Sequence, residues 1–338
     1  MTIVPVARLR ARVAATRGPQ FLLPRRFESV SFCSFQPDPA FPEQERVRER
    51  IAAFVAAPEP PRSRLPWRRR EQAPHEPRGI YLDGRPGIGK THLLAAAYLA
   101  AEEPKLFATF DEFAAAAGTL GVQPLKELLA SRRLVCIDEI DLRDPGNIML
   151  LTSLTRAMLA GRPRILATAN AAPAGMPGSR DLAEDFDREL GEIAGAFTIL
   201  RLDGHDWRAA GRSARPPLPE RPRVARFSAG ELAAFLHEIH PMYDAAWLGE
   251  VDLIELDELP ALPDTDRALR FVRFIDRVYD RDVALRVTRP GRTLDALLAP
   301  LARDRRFVLH AARCRSRLLE LGLGLEPRGA PAADGGAP

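Results

Sequence analysis

Cysteine is scarce. The 338 residues contain 3, Cys33, Cys136 and Cys314, far apart and without a Cys-x-x-Cys pair. An odd and scattered set argues against a disulfide framework or a zinc site and fits a reducing cytoplasm. Long apolar runs are also missing: no stretch of about 18 residues is apolar enough to span a bilayer. Met1 to Val13 carries arginines but lacks the apolar core of a secretory signal. Neither sign of charge dominates. The balance of 49 basic against 45 acidic residues leaves +4, too small an excess to imply a nucleic-acid partner. What the chain has in quantity is core material. At 46% hydrophobic and 28% charged residues it can bury a sizeable core under a solvated surface, as one large domain or two smaller ones.

The stretch Gly84-Arg85-Pro86-Gly87-Ile88-Gly89-Lys90-Thr91 fits G-x-x-x-x-G-K-[ST]. Its setting matches: Ile80-Tyr81-Leu82 before it reads as a buried strand, and His92 to Ala101 after it as a helix. A phosphate chain needs backbone N–H groups aimed at it, with no side chains in the way and a helix N-terminus behind them. The residues from Gly84 to His92 are therefore candidates for binding a nucleotide. In this pattern Lys90 reaches the β- and γ-phosphates and the Thr91 hydroxyl holds Mg²⁺.

The remainder divides by composition. Residues 1–26 are basic and read as poorly ordered. Residues 27–78 read as an extension, with an extended apolar segment, a helix over 42–57 and a Pro-rich loop containing Arg68-Arg69-Arg70 beside Trp67. That basic run reads as a solvated loop. Residues 79–210 alternate short apolar runs with helical stretches, which predicts a mostly parallel sheet under helices. Strands are expected at 80–82, 107–110, 134–137, 164–168 and 197–202, and helices at 92–101, 111–117, 123–131, 147–160 and 181–195. Residues 211–226, rich in Pro and Arg, read as a linker. Residues 227–322 read as a mixed α/β region with helices at 227–240, 267–279 and 305–321 and strands at 251–256 and 283–287. The tail 323–338 lacks core residues and reads as disordered. The fold class is α/β: a P-loop NTPase parallel sheet with flanking helices, plus a C-terminal mixed α/β region.

Two further stretches carry chemistry. Leu134-Val135-Cys136-Ile137 is an apolar strand ending in Asp138-Glu139. Ligands of doubly wound sheets sit at the carboxyl ends of strands, so Asp138 is a candidate Mg²⁺ ligand and Glu139 the group that polarises the attacking water. Arg164 to Asn170 is a second apolar strand, and the neutral amide of Asn170 at its end can hydrogen-bond the γ-phosphate or that water. Positive charge is also needed at the γ-phosphate. Arg180 and Arg188, which follow, are alternative candidates for an arginine supplied to a neighbouring subunit.

In order and spacing these residues resemble the ZapE-like ATPases, a cell-division-associated branch of the AAA+ class. The likeness runs from about residue 27 to 322. It includes Gly79 to Gly84 leading into the loop, Lys90-Thr91-His92-Leu93-Leu94, Cys136-Ile137-Asp138-Glu139 and Thr168-Ala169-Asn170, the last in the place of the AAA+ sensor 1. It continues through Asp185-Phe186-Asp187-Arg188-Glu189, Asp203-Gly204-His205-Asp206-Trp207-Arg208, Tyr279-Asp280-Arg281 and Ser316-Arg317-Leu318. Ile140, Ala169 and Trp207 depart from the usual Phe, Ser and Tyr, and none of these bears the charge or the amide. The resemblance implies a cytoplasmic ATPase with ATP and Mg²⁺ as cofactors, acting as a nucleotide-dependent homo-oligomer on an FtsZ-like division protein. It also implies that Arg317, or Arg313 one turn earlier, contacts nucleotide. The competing expectation is a helicase-loader or initiator-type AAA+ ATPase that acts on nucleic acid.

Overall fold

A computed structural model describes residues 1–16, 18–57, 78–85, 87–142, 145–161, 163–169, 188–189, 191–205, 218–289, 291–303 and 307–321. The basic run at 68–70, most of the expected helix 181–195 and the tail 323–338 lie outside them. In chain order the strands are β1 (Thr2–Ile3), β2 (Gly79–Asp83), β3 (Lys105–Thr109), β4 (Leu134–Ile140), β5 (Arg164–Ala169), β6 (Phe197–Arg201), β7 (Arg223–Phe227), β8 (Leu253–Leu256) and β9 (Ala284–Val287). They form two sheets, and the chain divides into two compact units, Gly18–Pro216 and Met1–Arg17 together with Pro217–Pro338.

The unit Gly18–Pro216 holds a five-stranded sheet in the order β3-β4-β5-β2-β6, every pair parallel. Its central strands are covered on both faces, which explains their nearly unbroken apolar runs. Alternation sends Ile80, Leu82, Cys136 and Leu166 to one core, where they meet Leu93 and Leu94 of helix Lys90–Ala100 and Val47 and Ile51 of helix Glu43–Ala56. Tyr81, Val135, Ile137 and Ile165 face the other core, against Phe113, Leu125, Leu151 and Leu154. Helix Phe110–Leu120 starts on a capping box between Thr109 and Glu112, so the strand-to-helix turn satisfies its own amide groups.

The other unit builds its own parallel sheet, β1-β7-β8-β9. Two expectations are corrected here. The N-terminal 26 residues carry β1 and the helix Val6–Ala15, because Thr2 and Ile3 pair with Arg223 and Val224 and Leu9 is fully buried. The linker assigned to 211–226 ends in β7, which pairs with both β1 and β8. Helix Thr265–Asp280 buries Phe271, Val272, Phe274, Ile275 and Val278. Phe274 stacks on Trp247 at 5.9 Å and 12°, and Phe235 meets Trp247 edge-on at 5.1 Å.

Buried among these aromatics, Asp244 accepts a hydrogen bond from Trp247 Nε1 at 3.1 Å. Burial pushes its carboxyl from 3.8 up to about 7, against the lowering pull of the Trp247 bond and Arg277. A carboxyl raised in this way binds its proton more tightly in the native state than in the unfolded one. Its contribution is therefore full below the unfolded pKa and is lost as pH rises from about 4 through about 7. Wild type is expected to unfold at lower urea near pH 8 than near pH 5, and Asp244→Asn should flatten that difference. Equal urea midpoints for wild type at the two pH values would contradict this.

Candidate active site

The loop Gly84–Gly89 joins β2 to the helix that begins at Lys90, and it is pressed from two sides. A Cβ on Gly84 would lie 2.2 Å from the Leu202 carbonyl oxygen, next to the Leu202 N–H bond to Asp83 O. Gly89 has φ +97, and a Cβ there would lie 2.7 Å from Phe35 Cε2. Both glycines thus allow backbone to approach where any side chain would collide. Ile88 is buried between them and anchors the loop to the core.

Lys90 is 7% exposed, and its Nζ donates to Gly84 O at 2.6 Å and Arg85 O at 2.7 Å. The ammonium therefore lies inside the curve of the loop. The Thr91 hydroxyl donates to Asp138 Oδ1 at 3.3 Å. Loop and acid pair share one rim because β2, β5 and β4 are parallel neighbours and end at the same edge. Asp138 is 4% exposed while the Glu139 side chain is open to solvent. One boundary differs from expectation: β4 does not stop at Ile137 but continues through both acids to Ile140, whose side chain is buried. Of the other sequence-predicted residues, Arg85 is exposed at the loop's mouth, and Pro86, Asn170 and Arg180 lie outside the described residues.

His92 joins the loop's helix to the segment before it. Its Nε2 sits 3.0 Å from Ser34 Oγ and 3.3 Å from Ser31 O, and its ring meets Phe35 edge-on at 5.7 Å. Burial holds the imidazole below its ordinary range, partly offset by the Ser31 carbonyl. The same segment is tied to the end of β6. Gln44, fully buried, accepts from Asp38 N at 2.8 Å and donates to Asp203 O at 2.7 Å, and His205 Nδ1 pairs with Asp38 Oδ2 at 2.7 Å. The sequence marks an extended apolar segment here but not Gln44, since a glutamine in the first turn of a helix carries no periodic or chemical signal.

The arginines have distinct settings. Arg188 has a side chain 76% exposed and pairs with Glu189 at 2.8 Å and Glu192 at 3.9 Å. Arg317 belongs to the other unit, on helix Val308–Glu320. It pairs with Asp276 at 2.6 Å and Asp280 at 3.6 Å and lies over the Tyr279 ring at 4.9 Å. Arg313 pairs with the same Asp276 at 2.8 Å.

The family model described as AFG1-like ATPase matches residues 24–221. The chain belongs to that family. It includes ZapE-type proteins, in keeping with the motifs above. The AFG1-like match takes in the loop, the acid pair and all five strands of the first sheet, and ends just before β7. The family is described as one of ATPases, and the fold is a parallel α/β sheet with flanking helices and a second mixed α/β region. No curated protein matches it. Among solved structures, it is similar to a DNA replication initiation factor at 16% identity over 52% of this chain and 49% of that one, TM-score 0.37. It is also similar to the DnaC helicase loader, at 16% identity over 53% and 99%, TM-score 0.37. AMPPCP-bound DnaA from Aquifex aeolicus matches at 12% identity over 87% and 95%, TM-score 0.36. The chain spans only about half of the first of these. Likenesses at this level carry no statement about substrate or partner.

Proposed function

We propose that the rim formed by Gly84–His92 and Asp138–Glu139 binds ATP with Mg²⁺ and hydrolyses it to remodel a protein partner. The observation that carries this reading is the Thr91–Asp138 contact of 3.3 Å, with the Lys90 ammonium held inside the adjoining loop. Thr91 and Asp138 offer hard oxygens, the donors that suit Mg²⁺. Among the described residues no group of three or more His, Cys, Asp or Glu could by itself hold a metal ion. When bound, the cation neutralises charge developing on the phosphates. Lys90 holds the β- and γ-phosphate oxygens by charge-assisted hydrogen bonds. Glu139 accepts the proton of the attacking water, and Asn170 orients that water or the γ-phosphate.

Arg188 or Arg180 completes the site of a neighbouring copy in a head-to-tail assembly. The exposure of Arg188 supports this, since a guanidinium acting in trans has to reach beyond its own subunit. Residues 79–210 serve as the ATPase core and 227–322 as a second α/β region. The three thiols are unpaired, and no helix among the described residues is long and apolar enough to cross a membrane. The unpaired thiols suit a reducing, cytoplasmic setting. The resemblance to ZapE-like ATPases makes an FtsZ-like polymer the partner to test. Steady-state ATP turnover is expected to rise severalfold with FtsZ polymer and to stay unchanged with single-stranded DNA. The reverse outcome would assign the chain to the helicase-loader class instead.

A further inference from the structure

The acids at the end of β4 do not stand in a regular ladder. Ile137 pairs with Ala167 and Ile140 with Ala169, so Asp138 and Glu139 together face Thr168 alone. Two residues against one is a β-bulge, a device that re-aims side chains beside active sites. Glu139 takes φ +55 there, a conformation unfavourable for a residue with a Cβ. Such a backbone persists only where its surroundings over-determine it.

Thr168 supplies that restraint. It is 1% exposed, and on its other side it is fixed in the ladder opposite Leu82 of β2. Its Oγ1 donates to Asp138 Oδ1 and accepts from the Glu139 N–H at 3.1 Å. One hydroxyl therefore fixes the side chain of the first acid and the backbone of the second. Thr91 reaches the same Oδ1 from the helix side, so Asp138 is held between two hydroxyls. A threonine suits the position because its branched Cβ stiffens χ1 and keeps the hydroxyl aimed.

We infer that Thr168 is a positioning residue for hydrolysis: it clamps the bulge and thereby sets the orientation of Asp138 and Glu139 together. This rests on the ATPase reading of the rim. Thr168→Val keeps the shape and removes the hydroxyl. It is expected to bind an ATP analogue in metal-free buffer within about threefold of wild type, to lose about 10- to 100-fold in kcat, and to need more Mg²⁺ for half-maximal turnover. Thr168→Ser should recover most of the kcat. In a Glu139→Gln background Thr168→Val should cost little further turnover, because both changes act through the same acid. The wild type gives an independent readout: the Glu139 amide should exchange slowly with solvent, by NMR of the full chain. A folded Thr168→Val with wild-type kcat and Mg²⁺ dependence overturns the inference. So does a Thr168→Ser variant as impaired as valine, or a fast-exchanging Glu139 amide in wild type should the valine variant not fold. Absence of ATP turnover in wild type would instead sink the ATPase reading beneath it.

Discussion

Lys90→Ala is expected to remove measurable ATP binding while leaving the protein folded. The Lys90 ammonium is almost wholly enclosed, and its donors meet two loop carbonyls, Gly84 O and Arg85 O. A phosphate oxygen is a better acceptor than a neutral carbonyl for such a group, so binding exchanges two ordinary contacts for charge-assisted ones. Hydrogen bonds to charged groups contribute about 1.5–3 kcal/mol each. The loss of two corresponds to about a 10²- to 10⁴-fold weaker Kd. Stability should fall by less, about 1–3 kcal/mol, because the buried Gly84 carbonyl loses its donor while the part-buried Arg85 carbonyl can turn to water. Lys90→Arg should not rescue binding, since a planar fork does not replace a compact point charge inside a tight turn. Titration calorimetry with a non-hydrolysable ATP analogue, run beside thermal unfolding, separates affinity from folding. A folded Lys90→Ala that bound the analogue within about threefold of wild type would refute the assignment of this loop.

The parts of this molecule that were legible in sequence are those whose causes are local. The strands expected at 80–82 and 134–137 are short apolar runs. The loop between Gly84 and Lys90 is marked by glycines, and helix Glu43–Ala56 has a face, Val47, Ile51, Phe54 and Val55, readable at helical spacing. Five strands and their rim follow from such signals. What the sequence hid depends on partners far along the chain. β1 is two residues long and gains its order from β7, more than two hundred positions away. β7 itself looked like linker because prolines and arginines precede it. The bulge at Asp138–Glu139 was invisible for a related reason. An apolar run followed by two acids reads as a strand that has ended, and only the burial of Ile140 and its pairing with Ala169 carry the strand through them. Likewise Thr168 looked like one residue of a strand leading to Asn170. Its two hydrogen bonds cross to a different strand, and no periodicity within one segment encodes them.

Glu139→Gln is the substitution expected to separate binding from turnover most cleanly. The Glu139 side chain is exposed at the rim, and the position's strained backbone is held through its N–H by Thr168. Glutamine keeps the volume and that backbone bond, so stability should move by no more than about 0.5 kcal/mol, as for a typical surface change. Phosphate affinity should stay within about threefold of wild type or tighten slightly, since a negative charge near the γ-phosphate is removed. What glutamine lacks is a basic oxygen. General-base catalysis is worth about 10²- to 10⁴-fold, and kcat is expected to fall by that amount with KM little changed. Because ATP then binds without being consumed, any assembly formed with an arginine in trans should persist, visible as a higher mass with ATP that does not decay. Equal, slow turnover by wild type and Glu139→Gln would mean that the chain holds nucleotide as a scaffold and that Glu139 takes no proton.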